Sequence, residues 1–202
     1  MSQPLQSGEA TLPAGLADLV ARAGDARTPP PVERWNPPFC GDLDMRIAAD
    51  GRWFYLGSPI GRDRLVRLFA SVLRRDADGR HYLVTPVERI GITVDDAPFL
   101  AVELHAEGAG DGQLLTLRTN VGDVVRLDAE HPLRFESEPE TGGLKPYALV
   151  RGRLEALFTR ALLHQLAELM VEDANGAVGV WSGGTFFPVP AEQAQRSGGA
   201  SG

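Results

Sequence analysis

Arg64-Leu65-x-x-Leu68-Phe69-x-x-x-Leu73 returns as Arg153-Leu154-x-x-Leu157-Phe158-x-x-x-Leu162, with five matched residues at identical spacing. Each copy follows an apolar, hairpin-like stretch and runs through a Gly-marked turn into another. A chain that repeats an order of strands, helix and strands is constrained to build one kind of unit twice. The expectation is an α+β fold made of two unequal repeats, each a sheet covered by one helix that buries Phe69 or Phe158. That expectation concerns architecture. No catalytic or cofactor motif accompanies it.

The chain divides on this reading into a polar tail (1–11), a first repeat with an N-terminal Pro-rich strap (12–86), a second, strand-rich repeat with a long helix (87–190), and a low-complexity tail (191–202). Leu12 to Gly24 suits a short helix. Thr28-Pro29-Pro30-Pro31-Val32, prolonged by Pro37 and Pro38, cannot be helical and is read as a strap lying across the body. Leu43, Met45 and Ile47 alternate as in a half-buried strand, Asp50-Gly51 turns a hairpin, and Trp53-Phe54-Tyr55 follows as its second strand. A helix is expected from Arg62 to Arg75, then a strand at Tyr82-Leu83-Val84. Ile90–Val94, Phe99–His105, Leu114–Asn120 and Val124–Asp128 read as further strands. Glu136–Gly143 reads as a charged loop, and Pro146–Asp173 as a long helix stopped at Asn175-Gly176. A closing hairpin turns at Gly183-Gly184.

Composition narrows the function classes. The net charge of −7 argues against a general nucleic-acid or anionic-membrane binder. Cys40 is the sole cysteine, so neither an intrachain disulfide nor a thiolate metal cage is available. No apolar run is long enough to span a bilayer and Met1 opens no signal segment, which leads to the expectation of a cytoplasmic protein.

The segment Trp35-Asn36-Pro37-Pro38-Phe39-Cys40-Gly41-Asp42-Leu43-Asp44-Met45 resembles a family of uncharacterised bacterial proteins, domain of unknown function 1285. The likeness continues through Asp50-Gly51-x-Trp53-Phe54-Tyr55-x-Gly57-Ser58-Pro59-Ile60, Val66-Arg67-Leu68-Phe69, Tyr82-Leu83-Val84-Thr85-Pro86-Val87-Glu88 and Asp95-Asp96-Ala97-Pro98-Phe99. It spans roughly Leu12 to Val189, with a charged insertion around Glu136–Gly143. The resemblance implies a duplicated α+β fold whose second half is superficially similar to pleckstrin-homology-like domains, and a signalling or interaction role. It supplies no catalytic residue.

Asp42 and Asp44 share one face of their strand, the arrangement of a divalent-cation site or an acid/base pair, and equally of a solvent-facing strand. Trp53 and Tyr55, with Ser58 in the following turn and Trp35 on the strap, form the densest aromatic patch and the best ligand-binding candidate. Arg64, Arg67, Arg74 and Arg75 fall in one sector of the expected helix, a face suited to an anion or acidic partner and equally to solvent. Cys40 is read as a buried packing residue. His164 and Glu168, four apart with Glu172 beyond, lack the partner histidine that a zinc site requires. Gly57-x-x-x-Gly61 lacks the Lys-Ser/Thr of a phosphate loop. Neither cofactor nor metal is expected. The reading is a non-enzymatic module that uses the cleft between the repeats to bind a small ligand, peptide or protein. The alternative is an enzyme of unknown class using Asp42 and Asp44, with a divalent metal.

Overall fold

A computed structural model describes residues 12–21, 30–138 and 141–190. The readings of both tails, of Gly24 and of Thr28-Pro29 fall outside them. The elements are α1 (Ala14–Ala21), a 3-10 turn (Val32–Arg34), β1 (Phe39–Ile47), β2 (Trp53–Tyr55), β3 (Ser58–Pro59), α2 (Asp63–Ser71), β4 (Leu73–Arg75), β5 (His81–Val84) and β6 (Arg89–Val94). There follow β7 (Phe99–Glu107), β8 (Leu114–Thr119), β9 (Val124–Arg126), β10 (Leu133–Ser137), β11 (Leu144–Arg151), β12 (Leu154–Phe158) and α3 (Arg160–Glu168). A small sheet of β13 (Val171–Glu172), β14 (Val178–Ser182) and β15 (Thr185–Pro188) closes the chain. Two compact units result, one from residues up to Arg46 with Arg52–Thr93, the other from Ile47–Gly51 with Val94 onward.

Each unit carries a six-stranded sheet, in the orders β3-β2-β1-β6-β5-β4 and β10-β11-β12-β7-β8-β9. Numbered from the first strand of each sheet, the first order as written and the second read from its β9 end both run third, second, first, sixth, fifth, fourth. The central pair is parallel in both: Ala156 to Phe158 of β12 run alongside Phe99 to Ala101 of β7. In the first sheet Arg89 donates to the Pro38 carbonyl where β6 and β1 begin, and Asp95 to the Ile47 carbonyl where they end. Two three-stranded meanders joined through a parallel pair is thus the repeated plan.

The helices do not repeat with the strands. In the first unit α2 links the third strand to the fourth, whereas α3 follows the sixth strand of the second. The phrase that suggested duplication therefore lies in different structures: Phe69 is on a helix and Phe158 ends a strand, and both are buried. The long helix expected from Pro146 is instead β11, β12 and α3. Gly152, at φ 53°, turns the chain between the two strands, and Ala148, Val150, Leu154, Ala156 and Phe158 are buried with a strand's period of two. Pro146 is tolerated because β12 pairs with β11 only from Tyr147 onward.

The first core is built on Trp53 and Phe69, both 1% exposed, with ring centroids 6.4 Å apart. Met45, Leu73 and Leu83 complete it. The strap is held by Arg74, whose Nη1 donates to the carbonyls of Val32 at 2.8 Å and Trp35 at 2.7 Å. The α1 helix is tied in by Glu88, which accepts the Leu16 N–H at 2.8 Å, a carboxylate placed at a helix N-terminus.

His81 sits half-buried with its Nε2 enclosed and without a hydrogen-bond partner among the described residues. Burial, and then repulsion from Arg75, push its pKa down to about 4 from 6.5. Between those values the unfolded chain binds more protons than the folded one, so this contribution to stability is complete above pH 6.5 and is lost as pH falls toward 4. With allowance for solvent screening the effect is about 1–2 kcal/mol. Substituting His81→Leu should flatten the fall in melting temperature across that window; a slope equal to the parent's would contradict the assignment.

Candidate functional site

The residues singled out in the first unit are not all on one surface. Trp53 lies in the core, 1% exposed. Tyr55 is half-buried on the same side of β2, while Ser58 is exposed on the two-residue edge strand β3. Phe54, on the opposite side, lies under the guanidinium groups of Arg52 at 5.5 Å and Arg46 at 6.0 Å. Trp35 is half-buried on the strap, where its carbonyl serves as acceptor for Arg74. Asp42 and Asp44 are exposed on alternate positions of β1. The Asp42 carboxylate is engaged by Arg80 at 2.5 Å and overlies Gly91, where an added Cβ would stand 2.0 Å from its oxygen. Glycine at 91 makes that position possible. Among the described residues no three His, Cys, Asp or Glu side chains gather around a point where a metal ion could sit.

The arginine face also divides. The α2 helix ends at Ser71, so Arg64 and Arg67 stay exposed on it while Arg74 and Arg75 belong to β4. Arg74 is 7% exposed and spent on the strap and on Asp76, at 2.5 Å. Cys40, expected to be buried, is exposed, because the leading half of β1 runs past the core: its burial deepens only from Met45. Glu172 is on β13 and not on the helix of His164 and Glu168.

Two constellations are visible only in three dimensions. In the first unit the Tyr82 ring is packed edge-on to Phe39, with centroids 6.1 Å apart. Above it lie the guanidinium groups of Arg89 at 5.0 Å and Arg80 at 5.4 Å. The Tyr82 hydroxyl donates to Asp78 at 2.6 Å. That bond, with the Arg80 N–H, holds the Asp78 carboxyl below its usual range and raises the phenol. Every cation here has a carboxylate, so the cluster binds itself: Arg80 to Asp42, Arg89 to Asp76.

The second constellation is a groove of about 620 Å³ in the second unit. Its walls are Leu114 and Thr116 of β8, Val124, Val125 and Arg126 of β9, and Val150 and Arg151 of β11, with Glu107, Asp123, Asp128 and His131 around them. β11 stands three places from β8 in the sheet order, so the sheet curls until its two halves face each other across the groove. Arg151 is ion-paired with Asp123 and lies 4.9 Å over the Phe99 ring. Asp128 accepts the backbone N–H groups of His131 and Glu130, each at 2.9 Å, which holds its carboxyl below the usual range. Arg126 is exposed and has no hydrogen-bond or ion-pair partner among the described residues. Val124 beside it is 66% exposed. Sequence reasoning placed β9 but gave no sign of the groove, since its residues come from four strands far apart in the chain.

Comparison with known proteins gives the family and no activity. The model described as domain of unknown function (DUF1285), N-terminal domain, matches residues 30–97, and the C-terminal domain model of the same family matches residues 98–189. A DUF1285 family protein from Silicibacter pomeroyi DSS-3, solved by crystallography, is 49% identical, with a TM-score of 0.82 over 90% of this chain and 98% of that one. Another, from Shewanella baltica OS155, is 28% identical with a TM-score of 0.48, over 61% of this chain and 90% of that one. No curated protein matches the chain. With both domain models in sequence order across residues 30–189, the chain belongs to the DUF1285 family.

Proposed function

We propose that the chain is a non-enzymatic binding module, acting in signalling or regulation in the cytoplasm, and that the second unit's groove is where it binds. The observation that carries this reading is the pairing of a 620 Å³ concavity with an uncommitted cation, Arg126, beside an exposed apolar side chain, Val124. Ligand sites combine such a concave, partly apolar wall with a few oriented polar groups. The mixture favours an organic ligand or peptide that bears a carboxylate or phosphate on an apolar body, because Arg offers a fork of donors to either anion. A superficial likeness to pleckstrin-homology-like folds would suit this use: the second unit has a curled six-stranded sheet followed by a single helix, α3. The first unit supports the reading less, since the carboxylate of Asp42 is occupied by Arg80.

A library of small acidic and neutral organic fragments, titrated into the isotope-labelled protein, tests the proposal. Resonances of Val124, Arg126 and Val150 should shift, and acidic fragments should lose at least tenfold in affinity with Arg126→Glu. Shifts confined to the Asp42, Tyr55 and Ser58 face would overturn the assignment of the groove. Turnover of a substrate that Asp42→Asn abolishes would overturn the non-enzymatic reading.

A further inference from the structure

Of the four sheet edges in the two large sheets, three are protected. β3 is two residues long and ends in Pro59, a short strand with a proline being a common way to blunt an edge. The strap's 3-10 turn packs on β4, and β15 packs on β10. β9 is the exception. It pairs with β8 on one side through Thr116 with Arg126, Leu117 with Val125 and Arg118 with Val124. The bonds Leu127 N–H to Leu115 O and Thr119 N–H to Asp123 O fix the alternation: residues 123, 125 and 127 bond to β8, so the N–H and C=O of Val124 and Arg126 point the other way. No backbone or side-chain partner meets them among the described residues. Val124 and Arg126 are both among the residues that line the groove.

We propose that the groove takes an extended peptide segment of a partner protein, which adds a strand to the free edge of β9. This rests on the reading of the groove as the binding site, and names its occupant. Main-chain pairing supplies affinity in this mode, and side chains alternating along the peptide supply specificity. Val124 and Arg126 lie on one face of β9, with the buried Val125 on the other. Their cross-strand neighbours on the peptide therefore share a face. The peptide that fits carries an apolar residue opposite Val124 and, two positions away, an acidic residue opposite Arg126. The exposed Val124 and the unpartnered guanidinium are then both covered. A short edge strand bearing a charge also discourages unwanted pairing, so selectivity for the acid separates a binding edge from a merely guarded one.

An arrayed library of eight-residue peptides of random sequence, probed with the full chain, tests this. Bound members should be enriched in an apolar residue two positions from Asp or Glu. In the strongest binder, N-methylation of one alternate set of amides should lower affinity at least tenfold and methylation of the other set should change it little. On the protein side, Val124→Pro removes only an outward N–H and leaves the β8 ladder intact, so it should cost at least tenfold in peptide affinity with an unchanged melting curve. Arg126→Glu should shift the selected charge from acidic to basic. Equal tolerance of both methylated sets would overturn backbone pairing. A dimer in sedimentation that Val124→Pro dissolves would assign the edge to a second copy and overturn the peptide. If no peptide binds while organic fragments still shift the groove resonances, the peptide inference falls and the groove remains a ligand site; if neither binds there, both fall.

Discussion

Replacing Phe69 with alanine should lower stability by about 3–5 kcal/mol, the range for removing a fully buried phenylalanine from a packed core. The ring is 1% exposed and stacked on Trp53, so truncation removes its transfer free energy and opens a void under the indole. Neighbouring Leu73 and Leu83 are fully buried and have little freedom to fill it. Phe158→Ala should cost a similar amount in the second unit, although it ends a strand, because burial and not secondary structure sets the penalty. Denaturant unfolding measures both; a loss under about 1 kcal/mol at Phe69 would mean that α2 does not cover the first sheet as described.

The second large effect is expected at Arg74. One guanidinium satisfies the carbonyls of Val32 and Trp35 and pairs with Asp76. Truncation to alanine leaves two strap carbonyls without a donor and costs about 3 kcal/mol, as for breaking a buried charged pair from one side. Arg89, at 2.8 Å from Asp76, keeps that carboxylate partly paired and holds the penalty below the upper end of the range. The strap should loosen first. A cleavage assay with a protease of broad specificity should show faster cutting near Val32–Trp35 in Arg74→Ala; an unchanged rate would show that the strap is fixed by something else. Arg74→Lys should restore little, since lysine cannot span two carbonyls and a carboxylate in one plane.

These two residues also mark what the sequence made legible. The Trp53-Phe54-Tyr55 strand, the Asp50-Gly51 hairpin before it and the alternation at Leu43, Met45 and Ile47 were readable, because period and turn chemistry are local. So was the closing hairpin, with Gly183 and Gly184 both at positive φ. Arg74 was not. Leu-Arg-Arg continues a helical pattern, which sets it on a helix face; only its pairing with Tyr82 of β5 makes it a strand residue. The same tertiary override split the stretch after Lys145, where good helix formers such as Leu154, Glu155, Ala156 and Leu157 are drawn into β12 by parallel pairing with β7. The repeated phrase led to a doubled sheet plan for an accidental reason, since its copies occupy different elements.

Site residues were less legible than strands for a related reason. The sequence pattern suits Trp53 to a binding wall, whereas in the fold it is stacked on Phe69 in the core. Asp42 looked like half of a metal pair, and the distant Arg80 neutralises it. The groove depends on the curl of a sheet and on which backbone groups remain free after pairing, neither of which is written in residue types. A faint local signal existed: Val124-Val125-Arg126 is a short strand whose outer residues are an apolar side chain and a cation, unlike a purely guarded edge.

Amide hydrogen exchange along β9 in the protein alone tests the central claim most directly. Val125 and Leu127, bonded to β8, should be protected, while Val124 and Arg126 should exchange at nearly the rates of unstructured amides. That alternation is what an open edge requires. Protection of Val124 and Arg126 equal to that of Val125 would show the edge already occupied and contradict the account.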